Sequence, residues 1–167
     1  MEKLKELLEK LGWKVEEVDF AGDQKGWEIQ RYSPAGEDLG FTICHNNNVK
    51  AAIEEIEDYV EHFDEDEHIE MWVQARNSGV PGIPSIKELV KDAEEIHRML
   101  DEMSEYISNH IRICSECGKV MVEGYLVNSG DEYYCSDECL HKHYTEEEWN
   151  NMYSDDSDEN YWTSWEE

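Results

Sequence analysis

Leu4, Leu7, Leu8 and Leu11 recur at helical spacing, and Gly12 stands where that helix would end. In the next stretch, WKVEEVDF, the apolar positions Trp13, Val15, Val18 and Phe20 approximate the alternation of a strand, and the turn AGDQKG follows. WEIQRY and LGFTIC read as two further strands, joined as a hairpin by the turn-rich SPAGED. Asn46, Asn47 and Asn48 offer an N-cap for a helix whose apolar stripe is Val49, Ala52, Ile53, Ile56, Tyr59, Val60 and Phe63. The order α-β-β-β-α predicts helices packed on one face of a small antiparallel sheet, because that arrangement buries both apolar surfaces.

A short helix is expected over roughly residues 66–77, with Ile69, Trp72 and Val73 on one face, until NSGVPGIP breaks it with two Gly and two Pro. Ser85 and Glu88 form a capping box, and a long helix then runs from about 86 to 110. Its stripe is Ile86, Leu89, Val90, Ala93, Ile96, Leu100, Met103 and Ile107. The expected class is therefore α+β. It comprises an N-terminal helix-on-sheet domain (1–84), a long connecting helix (85–111), a small cysteine module (112–145), and a short helix with an acidic aromatic tail (146–167). No internal repeat is present in the sequence.

Four of the five cysteines crowd together as Cys114-x2-Cys117 and Cys135-x3-Cys139, with 17 residues between the pairs. The sequence has no apolar leader of secretory type, so the pattern reads as a metal site in a reducing compartment and the chain is expected in the cytoplasm. Zn²⁺ favours tetrahedral thiolate ligation, and four Cys satisfy it without an open position, which points to a structural ion and away from catalysis. His141 and His143 follow closely and are alternates for Cys139. Between the pairs, KVMVEGYLVNSGDEYY predicts a hairpin turning at Asn128-Ser129-Gly130-Asp131.

Residues 112–145 resemble a treble-clef zinc finger. YYCSDEC is similar to the knuckles of the FCS, TRASH and MYND-like group, where an aromatic residue precedes C-S-x-x-C at a helix start. The second pair has three intervening residues where many such fingers have two. The resemblance implies a structural or protein-interaction role, and sometimes nucleic-acid binding. The finger's six acidic and two basic residues over 114–143 argue against phosphate contact.

Charge sharpens the picture. The chain has 167 residues, 14 Lys+Arg against 42 Asp+Glu, and a formal net charge of −28. Such a surface repels phosphate and anionic lipid, so no direct nucleic-acid or membrane binding is expected. The acidity is blocked: residues 51–70 contain ten acidic residues and no Lys or Arg, and residues 144–167 contain nine and none. The plain reading of such blocks is a solvated helix face and a disordered tail. With 39% hydrophobic residues, six Trp and nine Tyr, the chain still has material for a core.

Other chemistry is thin. Cys44 beside His45 invites a nucleophile reading, but neighbours on a strand point to opposite faces, and a free Cys commonly serves as a small buried hydrophobe. His45-Asn46-Asn47-Asn48 resembles one fragment of the HNH nuclease motif and lacks the rest. His62-Phe-Asp-Glu-Asp-Glu-His68 gathers ligand-type side chains, yet neither EF-hand nor HExxH spacing is present. The α-β-β-β-α order resembles the double-stranded-RNA-binding fold, but acids replace the basic cluster that fold uses at its second helix. Dinucleotide and P-loop motifs are absent, as is a serine elbow, so no catalytic residue is assigned and an enzyme is not expected.

The expected function is that of a non-enzymatic zinc-binding protein that binds and inhibits a basic, nucleic-acid-handling protein. Dense carboxylates compete with phosphates for the same Lys/Arg groove, and steering makes such association fast and salt-sensitive. The contact residues expected are Glu54, Glu55, Glu57, Asp58, Glu61, Asp64, Glu65, Asp66 and Glu67, with Tyr161, Trp162 and Trp165 from the tail, whose aromatics either dock into a partner or pack back on the body. In size, charge and style the chain resembles the DNA-mimic antirestriction and anti-CRISPR inhibitors of phages and mobile elements. That resemblance implies a host defence effector, such as a CRISPR effector nuclease, as the partner. The alternative is a regulatory adaptor that recruits a protein through the finger and the aromatic tail, with acidity serving solubility alone.

Overall fold

The computed structural model describes residues 1–33, 38–153 and 159–166. The centre of the turn expected at SPAGED and the acids at 155, 156 and 158 lie outside the described residues. The fold is α+β, as the patterning predicts. Helix α1 (Glu2–Lys10) buries Leu4, Leu7 and Leu8. Gly12, at φ +87°, then turns the chain into strand β1 (Lys14–Phe20). Strands β2 (Gln24–Tyr32) and β3 (Asp38–Cys44) complete an antiparallel sheet in the order β1-β2-β3. Val15, Ile29 and Phe41 lie opposite one another across it, as do Trp27 and Ile43. Because side chains alternate between faces, these residues share the buried side.

That side is covered by α1, by α2 (Val49–Glu61) and by the second half of α4 (Ile86–His110). Asn48 caps α2 by accepting from the N–H groups of Lys50 and Ala51. Ser85 and Glu88 form the expected capping box at the start of α4. Ala52 and Ile56 of α2 and Ile96, Leu100, Met103 and Ile107 of α4 meet the sheet in one core. Helix α3 (Glu65–Asn77) packs antiparallel on the first half of α4, with His68 near Asp92 and Glu65 near His97.

The α4 stripe differs from its periodicity at one end. Ile86 and Val90 are 56% and 40% exposed, while the carboxylate of Asp92 is buried beside His68. The first turns of α4 extend past the sheet and are covered by α3 alone, which buries Leu89 and Ala93 and leaves Ile86 and Val90 on the open side.

Beyond α4, β4 (Arg112–Ile113) pairs with β5 (Val120–Met121), and β6 (Glu123–Val127) forms a hairpin with β7 (Glu132–Tyr134). The hairpin turns at Asn128-Ser129-Gly130-Asp131 as predicted, with Asn128, Ser129 and Gly130 all at positive φ. Short helices α5 (Asp137–Leu140) and α6 (Glu146–Met152) follow, the latter with a Thr145/Glu148 capping box. The tail then returns. β8 (Tyr161–Ser164) adds antiparallel to β6, giving the order β7-β6-β8. Among the described residues, no helix is long and apolar enough to cross a membrane.

Gly26 marks where the first sheet is tightest. A Cβ built there would stand 2.1 Å from the Ile43 carbonyl oxygen and 2.3 Å from the Phe20 ring. Backbone cannot yield as a flexible side chain can. Gly26→Ala is expected to lower unfolding stability by about 1–3 kcal/mol, read by chemical denaturation, whereas Gly22→Ala meets no neighbour and is strained only by its φ of +81°.

Candidate metal centre

The four clustered cysteines converge. The sulfurs of Cys114, Cys117, Cys135 and Cys139 all lie within 4.8 Å of one another. Cys117 Sγ is 3.6 Å from Cys135 Sγ, which in turn is 3.7 Å from Cys139 Sγ. These separations exceed a disulfide bond of about 2.0 Å and suit ligands around one ion. All five cysteines of the chain are free thiols.

Two local turns deliver the sulfurs. Between β4 and β5 the chain reverses so that Cys114 N–H donates to the Lys119 carbonyl and Gly118 N–H donates to that of Cys114. Gly118 sits at φ +68°, a conformation that carries no cost without a Cβ. On the other side, β7 ends at Tyr134 and Ser136 caps α5 by accepting from Cys139 N–H at 3.3 Å. Cys135 therefore sits just outside the helix and Cys139 in its only turn. The three intervening residues are accommodated by that turn, which brings Cys139 back beside Cys135.

The halves are tied independently of the sulfurs. Ser115 N–H donates to the Tyr133 carbonyl at 2.7 Å, and Tyr133 N–H donates to Ser115 Oγ. Glu116 accepts from Lys142 Nζ at 2.8 Å and pairs with His143 Nε2 at 2.7 Å. Glu132 accepts from the hydroxyls of both Tyr134 and Tyr144. His143 is thus engaged by Glu116, and His141 Nδ1 contacts the Tyr144 carbonyl at 3.0 Å. Both imidazoles are exposed and lie outside the cluster, so Cys139 completes the set.

The cluster's electrostatics suit a dication. Burial pushes the Cys114 thiol up, but the N–H groups of Cys117, Cys135 and Glu116 outweigh it and bring its pKa down to about 7. Burial, followed by the crowding of the neighbouring sulfurs, drives the Cys135 thiol up to about 12. One thiolate forms readily and the next is opposed. A dication reverses that opposition, and binding is linked to proton release.

The finger's own core is small: Cys114, Met121, Val127, Tyr134, Cys139, Leu140 and Trp149. Its outer contacts are aromatic. Arg112 lies 5.5 Å from the ring centre of Tyr133 and 5.3 Å from that of Trp165, while its Nη1 donates to the carbonyls of Ser108 and Ile111 at the end of α4. Trp165 N–H donates to the Val122 carbonyl, and the Trp165 carbonyl accepts from the His110 ring. Tyr125 meets Trp149 and Trp162 edge-on at 5.1 and 4.7 Å.

Of the tail residues singled out, Tyr161 and Trp165 are half-buried and Trp162 is 45% exposed. The tail's aromatic end thus packs back as a strand of the cysteine module's sheet, where the charge block by itself suggested disorder. Its partner is the edge of β6, 35 to 41 residues earlier in the chain, and local pattern carries no signal for that pairing. The acidic candidates of the first block line up on α2 and the start of α3. Glu54, Glu55, Glu57, Asp58, Glu61, Asp64, Asp66 and Glu67 are exposed, and Glu65 is half-buried against His97. Asp64 has a structural use as well, accepting from the N–H groups of Asp66 and Glu67 to cap α3.

Cys44 is half-buried at the end of β3. His45 is buried edge-on to Trp27, its Nδ1 accepts from Asn47 N–H, and burial pushes its pKa down. Sequence reasoning missed the Glu116 and Glu132 networks. Nothing in local spacing signals a carboxylate that reaches 12 or 26 residues along the chain.

Metal analysis is expected to give one ion per chain, and Cys135→Ser to abolish stoichiometric binding. A chelator should strip the second core, quenching the structured signals of Trp149 and Trp165, while Trp27 and the first core persist. A single undivided unfolding transition, identical with and without chelator, would overturn this. No protein-family model, curated protein or solved structure matches the chain.

Proposed function

We propose that the chain is a non-enzymatic binding protein, stapled by structural zinc in a treble-clef-like finger, whose acidic α2–α3 face docks on a basic, nucleic-acid-handling protein and blocks it by standing in for phosphate. In the resemblance drawn above, that partner is a defence effector such as a CRISPR nuclease, and the chain is a phage or mobile-element inhibitor. Four thiolates around one ion leave no open position for substrate, which favours a structural ion over catalysis. The succession of knuckle, β-hairpin and short helix supports the treble-clef comparison.

The observation that carries the reading is a row of carboxylates that is only partly compensated. Glu54, Glu57, Asp58 and Glu61 recur at i, i+3, i+4 and i+7 on the solvent face of α2, opposite the buried Ala52 and Ile56. Among the described residues, Lys50 reaches Glu54 at 3.6 Å, His62 reaches Asp58 at 3.4 Å and His97 reaches Glu65 at 2.7 Å. Glu55, Glu57, Glu61, Asp66 and Glu67 remain exposed beside them. A row of one sign raises the local potential and steers a cationic surface to it.

One observation favours the adaptor reading: Trp162 presents nearly half its surface on an edge strand. The two are separated by affinity capture at about 0.1 M and about 0.5 M salt, where the Debye length falls from about 10 to about 4 Å. The inhibitor reading expects a nucleic-acid-binding protein that is released at the higher salt. It also expects release by the variant Glu54→Gln/Glu57→Gln/Asp58→Asn/Glu61→Gln, whose exposed positions leave the core untouched. Capture that survives both and is lost with Trp162→Ala would overturn it in favour of the adaptor.

A further inference from the structure

A groove of about 460 Å³ lies where β3, the last turn of α2 and the first turns of α3 meet, in the middle of the densest acidic block. Its wall is apolar and aromatic: Leu39, Tyr59, Phe63 and Met71. Its rim carries the exposed carboxylates of Asp64 and Glu67. From these features we infer that the groove receives the side chain of an arginine or lysine from the partner, its stem on the apolar wall and its cationic head at Asp64 and Glu67. The inference deepens the reading above and rests on it for the partner's identity, though not for the groove's chemistry.

The groove is built before any ligand arrives. Tyr59 is held by stacking on Phe41, with ring centres 3.9 Å apart and planes within 7°. His68, whose side chain is only 9% exposed, lines the groove and lies against the Phe63 ring; its Nε2 is buried without a hydrogen bond, 3.6 Å from Asp92 Oδ2. Asp64 is fixed by the α3 cap, which uses Oδ1 alone. Met71, by contrast, leaves 55% of its surface open at the mouth.

The chemistry selects the occupant. An anion would meet two carboxylates at the rim, and a purely apolar ligand would cover them without pairing them. A metal ion is disfavoured because, among the described residues, only the cysteine cluster brings ligand atoms into range of one ion. No lysine or arginine of the chain lines the groove. A long basic side chain suits the apolar wall and the carboxylate rim together: methylenes on Leu39 and Met71, the cation over aromatic faces, its donors to carboxylate oxygens, while the lining imidazole of His62 is engaged by Asp58.

The test is a titration of the full metal-loaded chain, labelled with ¹³C at its methionine methyls, with N-acetyl-arginine amide and with its neutral isostere N-acetyl-citrulline amide. The Met71 methyl is expected to shift saturably with the arginine compound and not with the citrulline one. Asp64→Asn/Glu67→Gln, which keeps a capping side chain at position 64, is expected to weaken binding at least tenfold. Glu102→Gln/Glu105→Gln removes the same charge from α4 and is expected to change it less than twofold. Met71→Lys provides a second variant, followed by calorimetry because it removes the reporter methyl: it places the chain's own ammonium at the mouth and is expected to abolish the heat of arginine binding. An unshifted Met71 methyl, or equal weakening by the two double variants, overturns the groove while salt-sensitive capture of a partner by the same face still stands. Saturable arginine binding without any such capture supports the groove and overturns the partner.

Discussion

Burial of the apolar stripe on the second half of α4 is the contact on which the other parts depend. Ile96, Leu100, Met103 and Ile107 close the core that α1, the three-stranded sheet and α2 each leave open on one side. A three-stranded sheet with two short helices buries too little by itself, and a 25-residue helix laid across it completes the layer. The same helix fixes the start of the finger. Its last carbonyls accept from Arg112, whose guanidinium is held between Tyr133 and Trp165, and His110 in its final turn contacts the Trp165 carbonyl. Ile111, Ile113, Val120 and Val122 also join the N-terminal core, so the finger is seated on that core as well as connected to it.

The cysteine module depends on a different physics. Seven buried residues, two of them cysteines, are too few to organise two short sheets and two short helices through apolar burial alone. An ion held by the four converging sulfurs would supply the missing energy, since binding to a site that exists only in the folded state is itself folding energy. The polar ties around them, Ser115 to Tyr133 and Glu116 to Lys142 and His143, set the relative position of the two cysteine turns. Orientation of first ligands by such outer contacts is how small metal sites gain their geometry.

Charge is the remaining constraint. A net charge of −28 works against compaction, and the fold meets it by keeping most of the described acids on solvent faces, Asp92 being buried. α2 divides cleanly between Ala52 and Ile56 inside and its carboxylates outside. α3 divides less well: none of its residues is fully buried, and it sets His68, Trp72 and Arg76 toward α4 with ring or guanidinium nitrogens lacking hydrogen bonds. The densest acids of the chain therefore sit on the helix least anchored by apolar contact.

Local pattern alone determined the helices with a clean apolar period, the caps at Asn48 and Ser85, the three N-terminal strands, and the hairpin turning at residues 128–131. Each of these follows from interactions within a few residues. The four metal-ligating candidates were equally legible, because spacing of two and three residues brings sulfurs together within a single turn. Tertiary structure alone decided the rest. It placed β8 on the edge of β6, buried Asp92 while exposing Ile86 and Val90, carried His141 and His143 away from the sulfurs, and gathered Leu39, Tyr59, Asp64 and Met71 around one groove. These outcomes depend on which surfaces meet across long stretches of chain. A residue's near neighbours set its conformation but not the partner it finds there.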